Sequence, residues 1–500
     1  MLFNSIDFLV FFPMVVMIYF LMPKRLRYLW LLIASYYFYM GWNAEYAILI
    51  GISTLITYVC GIVLGQIQKK ERRHGLLWRR LVVAFGVGSN LTILMFYKYF
   101  DFVIENINAI RVALGQNGLE NRFDVILPVG ISFYTFQALG YVIDVYRGEV
   151  EVEKNPFKYA LFVSFFPQLV AGPIERSKNL LHQVHEVPRQ KLLNFKRIAN
   201  GLTVMLYGYF MKIVIADRIA IVVDEVFDSY WMYGSFELIL AAVCFSIQIY
   251  CDFGSYSLIA IGAAQVMGFT LMENFNAPYF AVSIKDFWRR WHISLSSWFR
   301  DYLYIPLGGN RKGKIRKYLN MMITFLLSGL WHGASWNYVV WGGLHGLYQI
   351  SGDLLMPIRK KLAELTKMKT DCESYKLTQI CVTFLMTTFA WIFFRAPSID
   401  EALGYIQRMC TRWDPWVLFD GSLYQLGVNQ FQAHILLVAL VILLLVDLVR
   451  YRRGKRIDAF LEEQNIWFRW LFLLLLIVLI AVYGAYGYAF DAKQFIYFQF

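Results

Sequence analysis

The sequence predicts an all-α polytopic membrane protein, and three observations carry that prediction. First, 58% of the 500 residues are hydrophobic and only 17% are charged, well below the roughly 25% charged residues of soluble domains. Water does not solvate that much apolar surface, whereas a bilayer does. Second, apolar runs of span length recur along the whole chain, at 6–22, 28–42, 45–65, 81–100, 124–146, 200–222, 235–263, 318–334, 336–356, 378–395, 433–449 and 468–490. They give about eleven or twelve transmembrane helices, several of them short for a bilayer. Third, the net charge of +13 is concentrated in short basic loops between these runs, the pattern of cytoplasmic loops rather than of a nucleic-acid surface.

Each span takes its place from that charge pattern. Basic clusters lie at Lys24–Arg27, Lys69–Arg80, Arg311–Lys317, Arg359–Lys369 and Arg450–Arg456. Placed together in the cytoplasm they require an even number of crossings between neighbours, and the runs supply it. One run precedes Lys24, so the N-terminus is expected outside. Met1–Val10 carries no basic stretch and no small-residue cleavage site follows, so this run reads as a retained first span, not as a signal peptide.

Two further segments do not fit as crossings. The run 157–172 contains Pro167, ends in Gly172-Pro173 and is flanked by charges. It reads either as a re-entrant helix or as a helix lying on the membrane surface. Residues 281–300 carry Ile284, Phe287, Trp288, Trp291, Leu295, Trp298 and Phe299 at helical spacing, interrupted by Lys285, Asp286, Arg289, Arg290, Arg300 and Asp301. They predict one amphipathic helix at the cytoplasmic interface, with His292 toward its apolar side. The polar stretches are too short for independent cores, so one membrane-embedded domain is expected over 1–500.

The seven histidines hold the candidate chemistry. His332 stands in GLWHGAS at the end of an apolar run, with Gly329 and Gly333 beside it, so that a substrate or another helix can approach closely. An ionisable group inside a membrane segment marks a functional site by default, and a desolvated, neutral imidazole suits a general base. The competing reading is a buried histidine bonded to a backbone carbonyl. His292, in RRWHISLS, is either a second polar group at the reaction site or an interfacial histidine bonded at headgroup level. Arg289, Arg290 and Arg300 give a cytoplasmic mouth a positive field suited to a phosphate-bearing donor, or else they form the basic face of a lipid-facing helix. Trp291, Ser296, Trp331 and Asn337 are counted with them as donor-binding or tunnel-lining positions. Asp252 is a carboxylate in an apolar helix and stands open between tunnel and structure. Gln137 and Gln168 read as bonds between helices, and His345 as scaffold.

Other chemistries find no support. His182 and His185 form HxxH in a polar loop without a third ligand, and the six cysteines show no CxxC or zinc spacing. No metal site is expected. No GxSxG elbow or P-loop occurs. A solute transporter or channel remains the rival class, since buried polar groups and broken helices suit that too, although no internal repeat is evident.

The chain resembles the membrane-bound O-acyltransferase family, and its wording is similar to the alginate O-acetyltransferase branch. The resemblance rests on DFWRRWHISLSSWFRD, YLYIPLGGNRKG and GLWHGASWNYVVWGGLHG. It extends to LPVGISFYTFQALGYVIDVYRG, FFPQLVAGPIER, NFNAPYF and the final FIYFQF. It implies a helical bundle with re-entrant or interfacial helices around a central tunnel, with a family core at about 124–350 and further helices over 378–500. It implies a catalytic His332 with His292 as the second polar position. No cofactor is bound; the donor is acetyl-CoA or another acyl thioester, arriving free or on a carrier at the cytoplasmic side of the inner membrane. The implied acceptor is a hydroxyl, or an extracytoplasmic esterase-like partner that completes polysaccharide acetylation. One departure is Leu258 in DFGSYSLIAIG, where the alginate branch carries aspartate; leucine is closer to the branch that moves D-alanine onto teichoic acids.

Overall fold

A computed structural model describes residues 1–69, 75–120 and 127–486. His74, the first residues of the 124–146 run, the end of the 468–490 run and FIYFQF lie outside the described residues. Helices make up the structure, and no strand occurs among the described residues. Six helices are long and apolar enough to cross a membrane: Tyr46–Lys69, Gly75–Ala113, Ser235–Met267, Glu373–Arg395, Gln430–Arg453 and Ile466–Tyr483, with Ile6–Leu21 a shorter apolar helix. This is fewer than the eleven or twelve expected. Several of the other runs became helices too short or too polar to meet the same length and hydropathy test.

The chain divides into two compact units, Met1–Leu202 with Ala260–Met272, and Thr203–Ile259 with Glu273–Phe500. The first holds α1 (Ile6–Leu21), α2 (Arg27–Met40), α3 (Tyr46–Lys69), α4 (Gly75–Leu94) and α5 (Phe100–Ala113). It continues with α6 (Ile131–Arg147), α7 (Pro156–Ser164), α8 (Phe166–Leu169), α9 (Ser177–Glu186) and most of α10 (Phe195–Tyr209). The run 157–172 is broken at Phe165 between α7 and α8, and Leu161–Glu175 is buried throughout. A helix lying on a surface would expose one face along its length, whereas here only the start, at Pro156 and Phe157, is exposed. Irregular backbone at such a break needs internal partners. Gln137 and Gln168 supply them: both side-chain amides donate to the Phe162 carbonyl, and Gln168 Nε2 also donates to Gln137 Oε1 at 3.0 Å.

The second unit holds the residues of interest. It contains α11 (Asp217–Asp228), most of α12 (Ser235–Met267), α13 (Ile284–Arg290), α14 (Ile293–Phe299), α15 (Gly313–His332) and α16 (Trp336–Leu365). It is completed by α17 (Glu373–Arg395), α18 (Ile399–Thr411), α19 (Gln430–Arg453), α20 (Ile457–Glu462) and α21 (Ile466–Tyr483). Its core is aromatic: Trp341 and Trp391 are stacked at 5.4 Å, and both are essentially inaccessible to solvent. The helices α15 and α16 form a hairpin through the extended Gly333 and the N-cap position Ser335. They meet backbone to backbone. A Cβ on Gly329 would stand 2.2 Å from the Tyr338 carbonyl oxygen, and one on Gly342 would stand 2.3 Å from that of Phe325. The small residue beside His332 therefore admits another helix.

Residues 281–300 are not one helix. The α13 helix starts at Ser283, whose hydroxyl accepts from Asp286 N at 3.1 Å, and ends at Arg290. Trp291 is extended, His292 takes the left-handed conformation (φ 43°, ψ 53°), and α14 begins at Ile293. For a residue with a Cβ this conformation costs on the order of 1–2 kcal/mol, and histidine is among the side chains enriched there. The apolar period runs on across the break, so the sequence pattern conceals it.

Candidate active site

His332 is the last residue of α15, and His292 is the turn between α13 and α14. The two rings lie 6.3 Å apart, centroid to centroid, a separation that leaves their nitrogens outside direct hydrogen-bond reach. His332 is 6% exposed and His292 is fully buried. Aromatic rings wall the pair. Trp331 stands 5.1 Å from His332 and 6.1 Å from His292. Trp341 and Phe394 lie 5.1 and 5.4 Å from His332, and Phe253 lies 4.6 Å from His292. His292 is thus no headgroup-level histidine. Burial lowers its imidazole from the ordinary value of 6.5 to about 3, which keeps it neutral at physiological pH.

A cavity of about 550 Å³ reaches residues next to this pair, and neither histidine is among its lining residues. Its lining includes Ile293, which follows His292, and Ser328, one helical turn before His332. Trp288, Phe299 and Phe325 give it apolar surface, and Lys285, Arg289, Arg300 and Lys317 give it positive charge against the single carboxylate of Asp353. Such a lining, apolar with a few cations, fits a molecule with an apolar or acyl end and an anionic end.

The candidate residues separate under this geometry. Arg289, Ser296 and Arg300 line the cavity, and Trp331 packs edge-on against both histidines. Arg290 does not line it: its Nε donates to Asp286 Oδ2 at 2.9 Å, Nη1 reaches the Asn276 carbonyl, and the guanidinium covers the Tyr451 ring. Trp291 is turned into an aromatic cluster with Phe275, Phe287 and Trp391. Asn337 donates to the Ala396 carbonyl at 2.7 Å and ties the start of α16 to the end of α17. Asp252 is paired with Lys212, which also meets Asp217 at 2.9 Å. Lys212 was missed by the sequence reading, although a lysine inside the apolar run 200–222 signals a buried partner. His345, fully buried, accepts from Trp288 Nε1 at 3.2 Å and joins α16 to α13 as scaffold. Lys285, one turn before Arg289, and Lys317 are the cavity cations absent from the candidates drawn from sequence.

A helical membrane protein with two buried histidines beside a cationic, partly apolar cavity has the parts of an acyl-transfer enzyme. Residues 150–396 match the membrane-bound O-acyltransferase (MBOAT) family. The chain is 37% identical to the "Probable alginate O-acetylase AlgI" of Pseudomonas putida, over 91% of this chain and 89% of the relative. It is 35% identical to the "Peptidoglycan O-acetyltransferase" of Helicobacter pylori, over 78% of this chain and 74% of that protein. It is 27% identical to the "Teichoic acid D-alanyltransferase" of Streptococcus thermophilus, over 54% of this chain and 66% of that protein. The chain belongs to the membrane-bound O-acyltransferase family. It is a multi-pass membrane acyltransferase, and the transporter reading falls.

Proposed function

We propose that this enzyme moves an acetyl group from a cytoplasmic thioester, acetyl-CoA or an acyl carrier, across the inner membrane to a hydroxyl for extracytoplasmic polysaccharide O-acetylation. The observation that carries the reading is the His292–His332 pair beside the cationic cavity, 6.3 Å apart and walled by aromatic rings. In the proposed step, His332 takes the proton of the acceptor hydroxyl as its oxygen attacks the thioester carbonyl carbon. The carbon–sulfur bond then breaks, the ester forms, and the departing thiolate takes the proton back from His332. His292, neutral, helps position the donor or stabilises the charge that develops on the carbonyl oxygen. Lys285 and Arg289 hold the anionic part of the donor. The basic loops, Arg311–Lys317 among them, support a cytoplasmic mouth and an outward N-terminus.

Two of the relatives bear the names of O-acetyltransferases and match most of this chain, which favours acetyl over D-alanyl as the group moved. Leu258 supports the second reading, D-alanylation of teichoic acid. The acceptor is a sugar hydroxyl or an esterase-like partner outside the membrane that carries the group onward. Purified enzyme in proteoliposomes, supplied with labelled acetyl-CoA or a labelled D-alanyl carrier and a hydroxyl acceptor, tests the proposal. Acetyl transfer that His332→Ala abolishes is expected. Near-normal turnover by H332A, or transfer of D-alanine alone, would overturn it.

A further inference from the structure

His292 is held in a left-handed backbone between two short helices, a conformation that needs partners from outside the turn. We infer that Asn274 is a positioning residue for His292, clamping the turn through Ser294. This inference rests on the proposed role of His292 in acyl transfer.

The segment that follows α12 runs back alongside this turn and bonds it on both sides. Asn276 N donates to the Arg290 carbonyl at 2.9 Å before the turn, and Ile293 N donates to the Asn274 carbonyl at 3.0 Å after it. The Asn274 side chain completes the grip. Its Oδ1 accepts from the Ser294 hydroxyl at 2.6 Å and lies 3.4 Å from Ser294 N, while its Nδ2 donates to Ser257 Oγ on α12 at 3.0 Å. Asn274, Ser257 and Ser294 are all buried. The segment is itself anchored: Arg450 bonds Glu273 and donates to Asn276 Oδ1 at 3.1 Å. A residue held in a sparsely populated conformation persists only where its surroundings over-determine it. Here the amide of Asn274 ties the turn to α12, the helix whose Phe253 packs on the His292 ring. Asparagine suits the place because one side chain both accepts and donates, and neither leucine nor aspartate of the same size does so.

Asn274→Ala should lower kcat about 10- to 100-fold, the scale of a misplaced reacting group, with the KM for acetyl-CoA within about twofold. Ser294→Ala, which removes one bond of the grip, should lower kcat less and serves where N274A folds poorly. In an H292A background N274A should add nothing. The His292 imidazole resonance of 15N-histidine-labelled enzyme should move in N274A and S294A. A multiplicative loss in the double variant, a raised KM at unchanged kcat, or an unmoved resonance would overturn the inference. Normal turnover by H292A alone would instead remove the catalytic reading of His292, while the resonance would still report whether Asn274 holds the ring.

Discussion

Gly329→Ala is the sharpest test of how the hairpin of α15 and α16 serves the site. The added Cβ would stand 2.2 Å from the Tyr338 carbonyl oxygen and 3.3 Å from the Gly342 Cα. Both are backbone atoms, so no side chain can rotate away, and the helices must part by about 1 Å to restore ordinary contact. Overpacking of this kind costs about 1–3 kcal/mol. The displacement is transmitted to His332, which lies three residues on and ends the same helix. A shift of that size costs up to about 100-fold in rate. Gly343→Ala is the control, because its Cβ would meet only the end of the Leu326 side chain at 3.4 Å. Initial rates of acetyl transfer in proteoliposomes and melting midpoints in detergent should show G343A close to wild type. G329A should melt lower and lose at least about tenfold in rate. A G329A enzyme with wild-type rate and melting would refute the view that the close helix crossing sets the position of His332.

Arginines 289 and 290 should part company. R289A should raise the KM for acetyl-CoA about tenfold or more at similar kcat, as loss of a charge-assisted contact to the donor predicts. R290A should leave that KM unchanged and lower the melting midpoint, since it breaks the tie to Asp286 and Asn276; steady-state kinetics and thermal unfolding separate the two. Stability should also fall in acid through His292. Its folded value near 3 lies below the ordinary 6.5, so the unfolded chain binds the proton first, and stability present above about pH 6.5 is lost progressively as pH falls toward 3. At pH 5 the loss is about 2 kcal/mol. Melting midpoints from pH 8 to 5 should show a fall that H292N lessens in part; equal slopes for the two proteins would exclude His292 as a source.

Much of the fold was legible because membrane spans announce themselves by composition, as in Gln430–Arg453 and Ile466–Tyr483. His332 stood out as a candidate for a related reason, an ionisable group at the end of an apolar run. What was hidden depends on contacts distant in sequence. The apolar period of 281–300 continues through Trp291 and His292, and neither glycine nor proline marks a stop there. The chain turns because residues 274–276 bond it from either side, and no local propensity records that. The helix α6 likewise begins at Ile131 and is buried along most of its length, so an apolar run that reads as a membrane span is an interior helix.

Charge shows the same limit and leads to the donor site. In sequence Lys285, Arg289, Arg290, Arg300 and Lys317 are alike, cations close to aromatic residues. Their partners separate them. Arg290 is spent on Asp286, Arg300 Nε lies 2.7 Å from Asp301, and Lys317 is paired with Asp353. Lys285 and Arg289 sit four residues apart on α13, both line the cavity, and neither has an ion-pair partner among the described residues. Positions four apart on a helix share a face. Two cations on one face of a cavity, left without a carboxylate, hold their charge available for an incoming anion, whereas a paired cation must first give up its partner. The proposed donor would therefore set its anionic end at Lys285 and Arg289. Ile293, which follows His292, lines the same cavity. This ordering assigns the cations to affinity and the histidines to turnover, so substitutions in the two groups should move KM and kcat separately.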